Sequence, residues 1–431
     1  MFTRRFYFLA FLIALPIAAF AAESGGGSLT LADALARALR ESPDLAAFNW
    51  EFRAGEARII QARLKPNPEL QFEIENPTGS AAFKNGEQMQ NTLQLSQLIE
   101  LGGKLPARVA VAQAERALAD WEYQLKRVEV LKETTLAFID ALAAQRRIAL
   151  AEEVAKVAED TSILTDQRVN VGKAGTFEST RAGVAVASAR IEVVQARREA
   201  LAARARLAAQ WGAKGADFDA VRGNLDQRPN VPAVAELRRR LDGNPALARW
   251  TAERAKRAAT LAKEQAEARP DLTLAGGPRV EGKGGDATFV AGFSLPLPLR
   301  NRNQGNIAEA RANLAKLDDE KRAAEARVFA ELSAAYQRLE GAREEIAILD
   351  ERVIPGARDA EKQLAEGYAA GRFAQLEVLE ARKTLNESRA QQLKALAEYH
   401  KALAEIEALT AQPVTLPLHT SAPAMKAAKR K

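Results

Sequence analysis

The chain has 431 residues, no cysteine, two histidines and a formal net charge of +6. The lack of cysteine excludes a disulfide framework, a cysteine zinc site and a thiol nucleophile. The basic surplus comes entirely from residues 1–21 and from four basic residues near the C-terminus. The body of the chain is therefore neutral and has no basic footprint for nucleic acid.

The first 21 residues have the pattern of a cleaved secretory signal peptide. Arg4 and Arg5 precede an apolar run from Phe6 to Phe20, and small residues then predict cleavage after residue 21 or 22. The run is shorter than the roughly 20 apolar residues that a transmembrane helix needs, which favours cleavage; a retained anchor is the alternative. We expect an exported protein in which residues 22–28 form an N-terminal linker.

The body of the chain is predicted to be a tandem duplication. Three sets of landmarks recur in the same order, with spacings of 202, 198 and 196 residues. They are Leu35, Leu39 and Pro43 with Leu237, Leu241 and Pro245; Leu95-Ser96 with Phe293-Ser294; and Gly175 and Phe177 with Gly371 and Phe373. The sequence thus predicts repeat 1 at 29–215 and repeat 2 at 232–411, joined by a linker at 216–231 and followed by a disordered basic tail at 412–431.

Each repeat is predicted to contain a helical segment, two strands and a second helical segment, so the fold is mainly α with a small β part. Strict polar–apolar alternation marks the strands, and the 3–4 spacing of apolar residues marks coiled-coil helices. Residues 104–170 are predicted to form one nearly continuous helix. The other predicted elements are helices at 29–41 and 44–65 and strands at about 69–76, 88–98, 271–281 and 287–297.

The four predicted strands of one chain are too few to close into a membrane barrel. Membrane barrels start at about eight strands, so four strands with one apolar face must be pooled by several chains. In that arrangement Leu70, Phe72 and Ile74 face lipid, and the polar residues between them face a lumen. The alternative is a soluble, half-buried sheet packed on helices, although no other apolar layer in the sequence is free to cover it.

Several segments of the sequence resemble the TolC-type outer-membrane efflux channels. They are Lys65–Leu70, Leu93–Lys104, Tyr368–Gly371 and Val378–Ala381. The resemblance spans about residues 29–411, and it is strongest to the cobalt/zinc/cadmium-resistance branch. It implies a homotrimer with a 12-stranded outer-membrane β-barrel and a 12-helix periplasmic coiled-coil tunnel. It also implies two partners, a periplasmic adaptor (membrane fusion protein) and an inner-membrane pump of the resistance-nodulation-division (RND) type.

The resemblance places a pore constriction at the helical tips. The family's Val-Leu-acid-Ala motif assigns Glu377 and Glu380 to carboxylate rings that would favour cations. Ionic links between tips suggest Glu178 opposite Arg372, although the family's arginine lies one position further on, where this chain has Phe373. The alternative is that Glu377 and Glu380 are ordinary exposed helix acids.

The resemblance also assigns the turns at these tips to contact with the adaptor. The alternative is that these turns contact no partner. The residues concerned are Gly172, Lys173, Gly175, Gly367 and Gly371.

Other chemical signals in the sequence are weak. Residues 277–283 match the first part of a phosphate-binding loop, but Gly284 stands where Ser or Thr would hold magnesium. His400 and His419 are expected at the surface. Because no nucleophile–base–acid pattern is present, we expect no enzyme activity, no cofactor and no metal site.

The sequence therefore predicts the passive outer-membrane channel of a tripartite efflux pump, with divalent heavy-metal cations as the expected cargo. It would lie in the outer membrane of a Gram-negative cell, extend into the periplasm and carry no lipid anchor. The alternatives are export of drugs or other organic compounds, a type I secretion duct of the same fold, and a non-conducting periplasmic coiled-coil scaffold.

Overall fold

The computed structural model describes residues 27–77, 88–282 and 284–411. The predicted signal peptide, the basic tail with His419, and Lys283 lie outside the described residues. The first half contains β1 (Ser28–Thr30), α1 (Leu31–Glu41), α2 (Pro43–Arg63), β2 (Glu69–Glu75), β3 (Gln90–Ile99), α3 (Lys104–Asn170) and α4 (Thr176–Ala209). The second half contains β4 (Ala220–Arg222), α5 (Val234–Arg240), a 3₁₀ turn (Leu241–Gly243), α6 (Pro245–Ala248), α7 (Trp250–Glu267), β5 (Leu272–Glu281), β6 (Asp286–Ser294), α8 (Gln304–Ile348), a π-helical segment (Leu349–Val353), α9 (Ile354–Ala369) and α10 (Gln375–Thr410).

The long helices and the alternating strands lie close to their predicted positions, and the differences have local causes. α3 is one helix of 67 residues, about 100 Å long at 1.5 Å per residue. The first helix begins at Leu31 rather than residue 29 because Thr30 caps it, its hydroxyl accepting the Asp33 amide at 3.2 Å. β6 ends at Ser294 rather than residue 297, because Pro296 has no amide hydrogen for a strand ladder.

The segments predicted as linkers are partly ordered. Residues 216–231 contain β4, which pairs in parallel with β1, Val221 opposite Leu29. Leu225 is buried in the same segment, and Arg146 of α3 binds Asp226 at 2.7 Å. A strand of three residues is too short to show alternation, so the sequence pattern did not reveal this element.

One antiparallel sheet unites the two halves of the chain in the order β2-β3-β5-β6. Leu70 lies opposite Leu95 and Phe72 opposite Leu93, so these side chains share one face. The face continues to β6, where Phe293 is 75% exposed. The opposite face is polar. Within the described residues β2 and β6 each pair along one edge only, so the sheet has an uncovered apolar face and two free edges.

The main hydrophobic core lies where the middle of the long helices meets β1 and β4. Phe138 of α3, Leu207 of α4, Leu332 of α8 and Ile406 of α10 are buried together there. Towards the tip, α4 presents buried alanines at every seventh residue, at positions 182, 189, 196 and 203. Small residues at a heptad seam let α3 and α4 lie close together.

The second long helical path is interrupted where the first is continuous. α8, the π-helical segment and α9 run over residues 304–369, with Pro355 in the first turn of α9. Asp350 of the π-helical segment binds Arg228 at 3.1 Å and accepts a hydrogen bond from Gln392. None of the described helices is long and apolar enough to cross a membrane.

Candidate pore constriction at the helical tips

Two turns of the same geometry form the tips. Residues 171–175 join α3 to α4, and residues 370–374 join α9 to α10. Gly172 and Gly371 have φ angles of +69° and +75°, a left-handed conformation that strongly favours glycine after a helix. In both turns the amide of the following residue donates at 2.8 Å to the carbonyl five residues earlier.

This matching geometry corrects the correspondence between the two tips. Gly172 corresponds to Gly371, a spacing of 199 residues. The sequence pairing of Gly175 with Gly371, at a spacing of 196, is wrong here, because Gly175 precedes α4 and its counterpart is Ala374. The sequence landmarks paired one glycine with another, whereas the backbone conformation shows which residues of the two turns are equivalent.

The corrected correspondence places Glu178 and Glu377 at the same position, the third residue of α4 and of α10. The Glu377 carboxylate accepts the Ala374 amide at 2.9 Å, and that of Glu178 accepts the Gly175 amide at a longer 3.5 Å. A carboxylate here satisfies a free amide at the helix start and complements the helix dipole. Each acid therefore has a local structural role at its own tip.

A buried polar cluster joins the two tips of one chain. The Tyr368 hydroxyl, which is buried, donates to Glu178 at 3.3 Å and lies 3.5 Å from Thr165 Oγ1. Gln375, also buried, donates to Thr165 Oγ1 at 3.0 Å. The Arg168 guanidinium lies 4.2 Å from the centre of the Tyr368 ring and donates to the Tyr368 carbonyl. The first and second halves of the chain are thus held together at the tip.

Sequence reasoning named Glu178 but missed its partners. Tyr368 lies beside the tip glycines in the sequence, and its hydroxyl is a hydrogen-bonding group. That combination could have identified it as a partner of Glu178. Thr165 and Gln375 carry no such signal. They lie 203 and 7 residues from Tyr368 and meet it only through the packing of α3, α9 and α10.

Of the other predicted site residues, Gly367 is buried, Gly175 is half-buried and the rest are exposed. Glu377 and Glu380 lie one turn apart on α10 and share a face. Arg372 lies at the surface of the second turn, as Lys173 does in the first. Within the described residues Arg372 forms no salt bridge with Glu178, whose carboxylate contacts Tyr368 instead. A link between Glu178 and Arg372 stays a prediction for contacts between chains.

Gly367 has a packing role at the tip. A Cβ atom there would lie 2.1 Å from Cδ2 of Phe373, so the glycine makes room for the phenyl ring. Phe373 therefore occupies the surface of α9 at the position where the resemblance led us to expect an arginine.

Comparison with known proteins assigns the family. A sequence profile described as "Outer membrane efflux protein" matches residues 34–213 and again residues 237–412. The chain belongs to the outer membrane efflux protein family. The two matches fall close to the two predicted repeats, and both tips lie inside them.

Individual members of this family are similar over most of the chain. The cobalt-zinc-cadmium resistance protein CzcC of Cupriavidus metallidurans is 32% identical over 89% of this chain and 90% of its own length. The nickel-cobalt-cadmium resistance protein NccC of Alcaligenes xylosoxydans xylosoxydans is 29% identical over 67% of this chain and 64% of its own. The outer membrane protein VceC of Vibrio cholerae has the same fold, with a TM-score of 0.73, 17% identity and coverage of 89% and 97%.

Two other predicted features of this outer membrane efflux protein can be located. Gly277, of the phosphate-loop-like segment, lies within β5. His400 is buried, and the prediction that it lies at the surface is wrong: the 216–231 segment covers it, with Nε2 2.9 Å from the Leu225 carbonyl. Burial lowers the pKa of His400, which favours the neutral form of the ring. Among the described residues no group of three or more potential ligands could hold a metal ion.

Proposed function

We propose that three copies of the chain form one outer-membrane channel, with a 12-stranded barrel and a 12-helix periplasmic tunnel. The observation that carries this proposal is the four-stranded sheet, with its apolar outer face and its free β2 and β6 edges. A free edge exposes unpaired backbone groups, and pairing β6 of one copy with β2 of the next removes every edge. The polar face, where Arg279 donates to Thr92 at 3.0 Å, then lines the lumen.

The channel acts passively within a tripartite pump. It provides a wet path for polar or ionic cargo, and an inner-membrane RND pump supplies the energy through a periplasmic adaptor. The adaptor contacts the tip turns, in which Gly172, Lys173 and Gly371 are exposed and Gly175 is half-buried. Gly367, which the resemblance also assigns to this contact, is buried in the last turn of α9, and its carbonyl accepts the Arg372 amide at 2.8 Å. Two turns of matching geometry on each chain would present six similar contact points around the three-fold axis.

The constriction lies at the same tips. Glu377 and Glu380 are exposed on one face of α10, and three-fold symmetry would bring six carboxylates together. Glu178 and Arg372 of neighbouring chains would approach at the same level. Such rings attract cations and raise their local concentration in the pore.

Divalent heavy-metal cations are the proposed cargo. The names of CzcC and NccC, proteins of cobalt, zinc, nickel and cadmium resistance, support this choice. Since the described residues contain no metal-binding cluster, selection of the metal would lie with the pump. Export of organic compounds and type I secretion are the alternatives within the same fold.

Two measurements test these proposals. The purified mature protein should conduct ions in a planar bilayer, and a soluble, non-conducting protein would instead indicate a periplasmic scaffold. A deletion strain should become sensitive to zinc, cobalt and cadmium and should recover with the gene restored. Sensitivity confined to dyes and antibiotics would contradict the metal assignment and favour organic cargo.

A further inference from the structure

A short ordered segment at the helix-side end of the sheet presents leucines to solvent. After β6, Leu297 and Leu299 are 69% and 76% exposed. The segment is nevertheless held by side chains that follow it, because Arg302 donates to the Pro298 carbonyl and Gln304 to the Arg300 carbonyl, both at 3.2 Å. The Asn303 side chain in turn donates to the Glu264 carbonyl and carboxylate at 2.8 and 2.9 Å. The exposure of these leucines is therefore a property of an ordered backbone.

The opposite edge of the sheet has a similar surface at the same level. α2 ends just before β2, and Leu64 there is 54% exposed. Beside it lies a cleft of about 480 Å³, lined in part by Lys65, Pro66 and Glu100. Arg108 neutralises the carboxylate of Glu100 at 2.6 Å, so this acid does not oppose an anion in the cleft.

The charges at this end of the sheet are unbalanced. Glu267 and Asp271 are already paired with the buried Lys104, at 3.5 and 2.7 Å. Lys65, Arg300 and Arg302, by contrast, form no salt bridge within the described residues, and all three are exposed. Glu69, a free carboxylate nearby, belongs to the polar face of the sheet. Three basic side chains with no acidic partner among the described residues therefore border the helix-side end of the apolar face.

We propose that these residues bind the phosphate headgroup of an anionic phospholipid. The juxtamembrane belt consists of Leu64, Lys65, Leu297, Leu299, Arg300 and Arg302. The inference rests on the proposed trimer, because pairing β6 with the β2 of the next copy brings the two halves of the belt together. Each seam between copies would then form one site.

The chemistry of the belt favours a lipid over a dry protein contact. The leucines extend the apolar face that borders the acyl chains, and the bases lie where the headgroup region begins. Arginine suits phosphate because its guanidinium can donate two parallel hydrogen bonds. If neighbouring copies simply packed here, three bases per seam would converge without an anion, which is unfavourable.

The absence of cysteine from the chain allows a direct test with single nitroxide labels. Leu297→Cys and Leu299→Cys would be labelled in the mature protein, which is then reconstituted in vesicles of phosphatidylethanolamine and phosphatidylglycerol. Phe289→Cys reports the apolar face, and Lys214→Cys, in the exposed loop after α4, reports water. Collisions with oxygen mark lipid, and collisions with a nickel chelate mark water.

We expect the labels at 297 and 299 to favour oxygen, as the label at 289 does. Lipid contact at 289 with water contact at 297 and 299 would overturn the inference and leave the channel proposal standing. Water contact at all three would overturn both. If neither reagent reaches 297 and 299, the belt is buried against a second copy and the lipid inference is wrong.

The basic residues are tested through headgroup selectivity. Arg300→Gln with Arg302→Gln should reduce the preference for phosphatidylglycerol over phosphatidylcholine, measured with spin-labelled lipids, about fivefold for each base removed. Arg181→Gln with Arg198→Gln makes the same charge change on α4, away from the sheet, and should have no effect. Equal loss in both double variants, or no loss in either, would overturn the phosphate site.

Discussion

Removal of the Tyr368 hydroxyl should loosen the tips of the channel. Tyr368→Phe deletes the donor that reaches Glu178 at 3.3 Å and the contact with Thr165, while the ring keeps its place against Arg168. This change therefore isolates one connection between the two halves of the chain. We expect the open state of the pore to be populated more often, because the connection holds the two tips together.

The size of the effect follows from the type of bond. A hydrogen bond to a charged group contributes about 1.5–3 kcal/mol, and the half-exposed position of Glu178 places this one near the lower limit. A loss of about 1.4 kcal/mol changes an equilibrium roughly tenfold. The open-to-closed ratio should therefore rise by about one order of magnitude for each copy whose tips must loosen before the pore opens.

Single-channel recording in planar bilayers measures this ratio directly. Tyr336→Phe is the matched control: it removes the same atom from a partly buried tyrosine of α8, whose hydroxyl forms no hydrogen bond within the described residues. If Tyr368→Phe and Tyr336→Phe give the same open probability as the unmodified channel, the polar cluster does not hold the tips closed.

Three further changes probe the constriction, the turn and the core. Glu380→Gln should weaken block by a multivalent cation such as hexamminecobalt more than Glu377→Gln, and block left unchanged by Glu380→Gln would remove Glu380 from the constriction. Gly371→Ala places a side chain on a residue in the left-handed conformation, and it should lower the free energy of unfolding in urea by about 1–2 kcal/mol. Its control is Gly341→Ala, in an open part of α8, which should raise that free energy by up to about 1 kcal/mol. Burial lowers the pKa of His400, so the unfolded state binds a proton at this residue more readily than the folded state. The stability of the protein should therefore fall as the pH drops below about 6.5. Thermal melting followed from pH 7.5 to 5.5 should show a smaller fall in His400→Gln.

The sheet could be predicted from the sequence because its signals are local. Alternation in each strand identified its two faces, and the observed register places Leu70 opposite Leu95 as one apolar surface. His400 shows a signal that was overlooked. The residues one turn away on α10, at positions 396, 397, 403 and 404, are apolar and buried, so their helical spacing already marked this face as buried. What the sequence did not show is the cover, because the 216–231 segment, whose Leu225 carbonyl lies 2.9 Å from Nε2, was expected to be a linker.

At the tips, the sequence motif alone did not reveal the local role of the acids. A Ser or Thr cap followed by Glu three residues later would have revealed the helix starts, but Gly175 and Ala374 occupy the cap positions here. The acids at the third positions were therefore read only as pore residues. One oxygen of Glu377 is committed to the Ala374 amide, so its charge is partly held by its own helix. Glu380 has no such partner among the described residues, and it is consequently the acid whose charge is fully available to a cation in the proposed constriction.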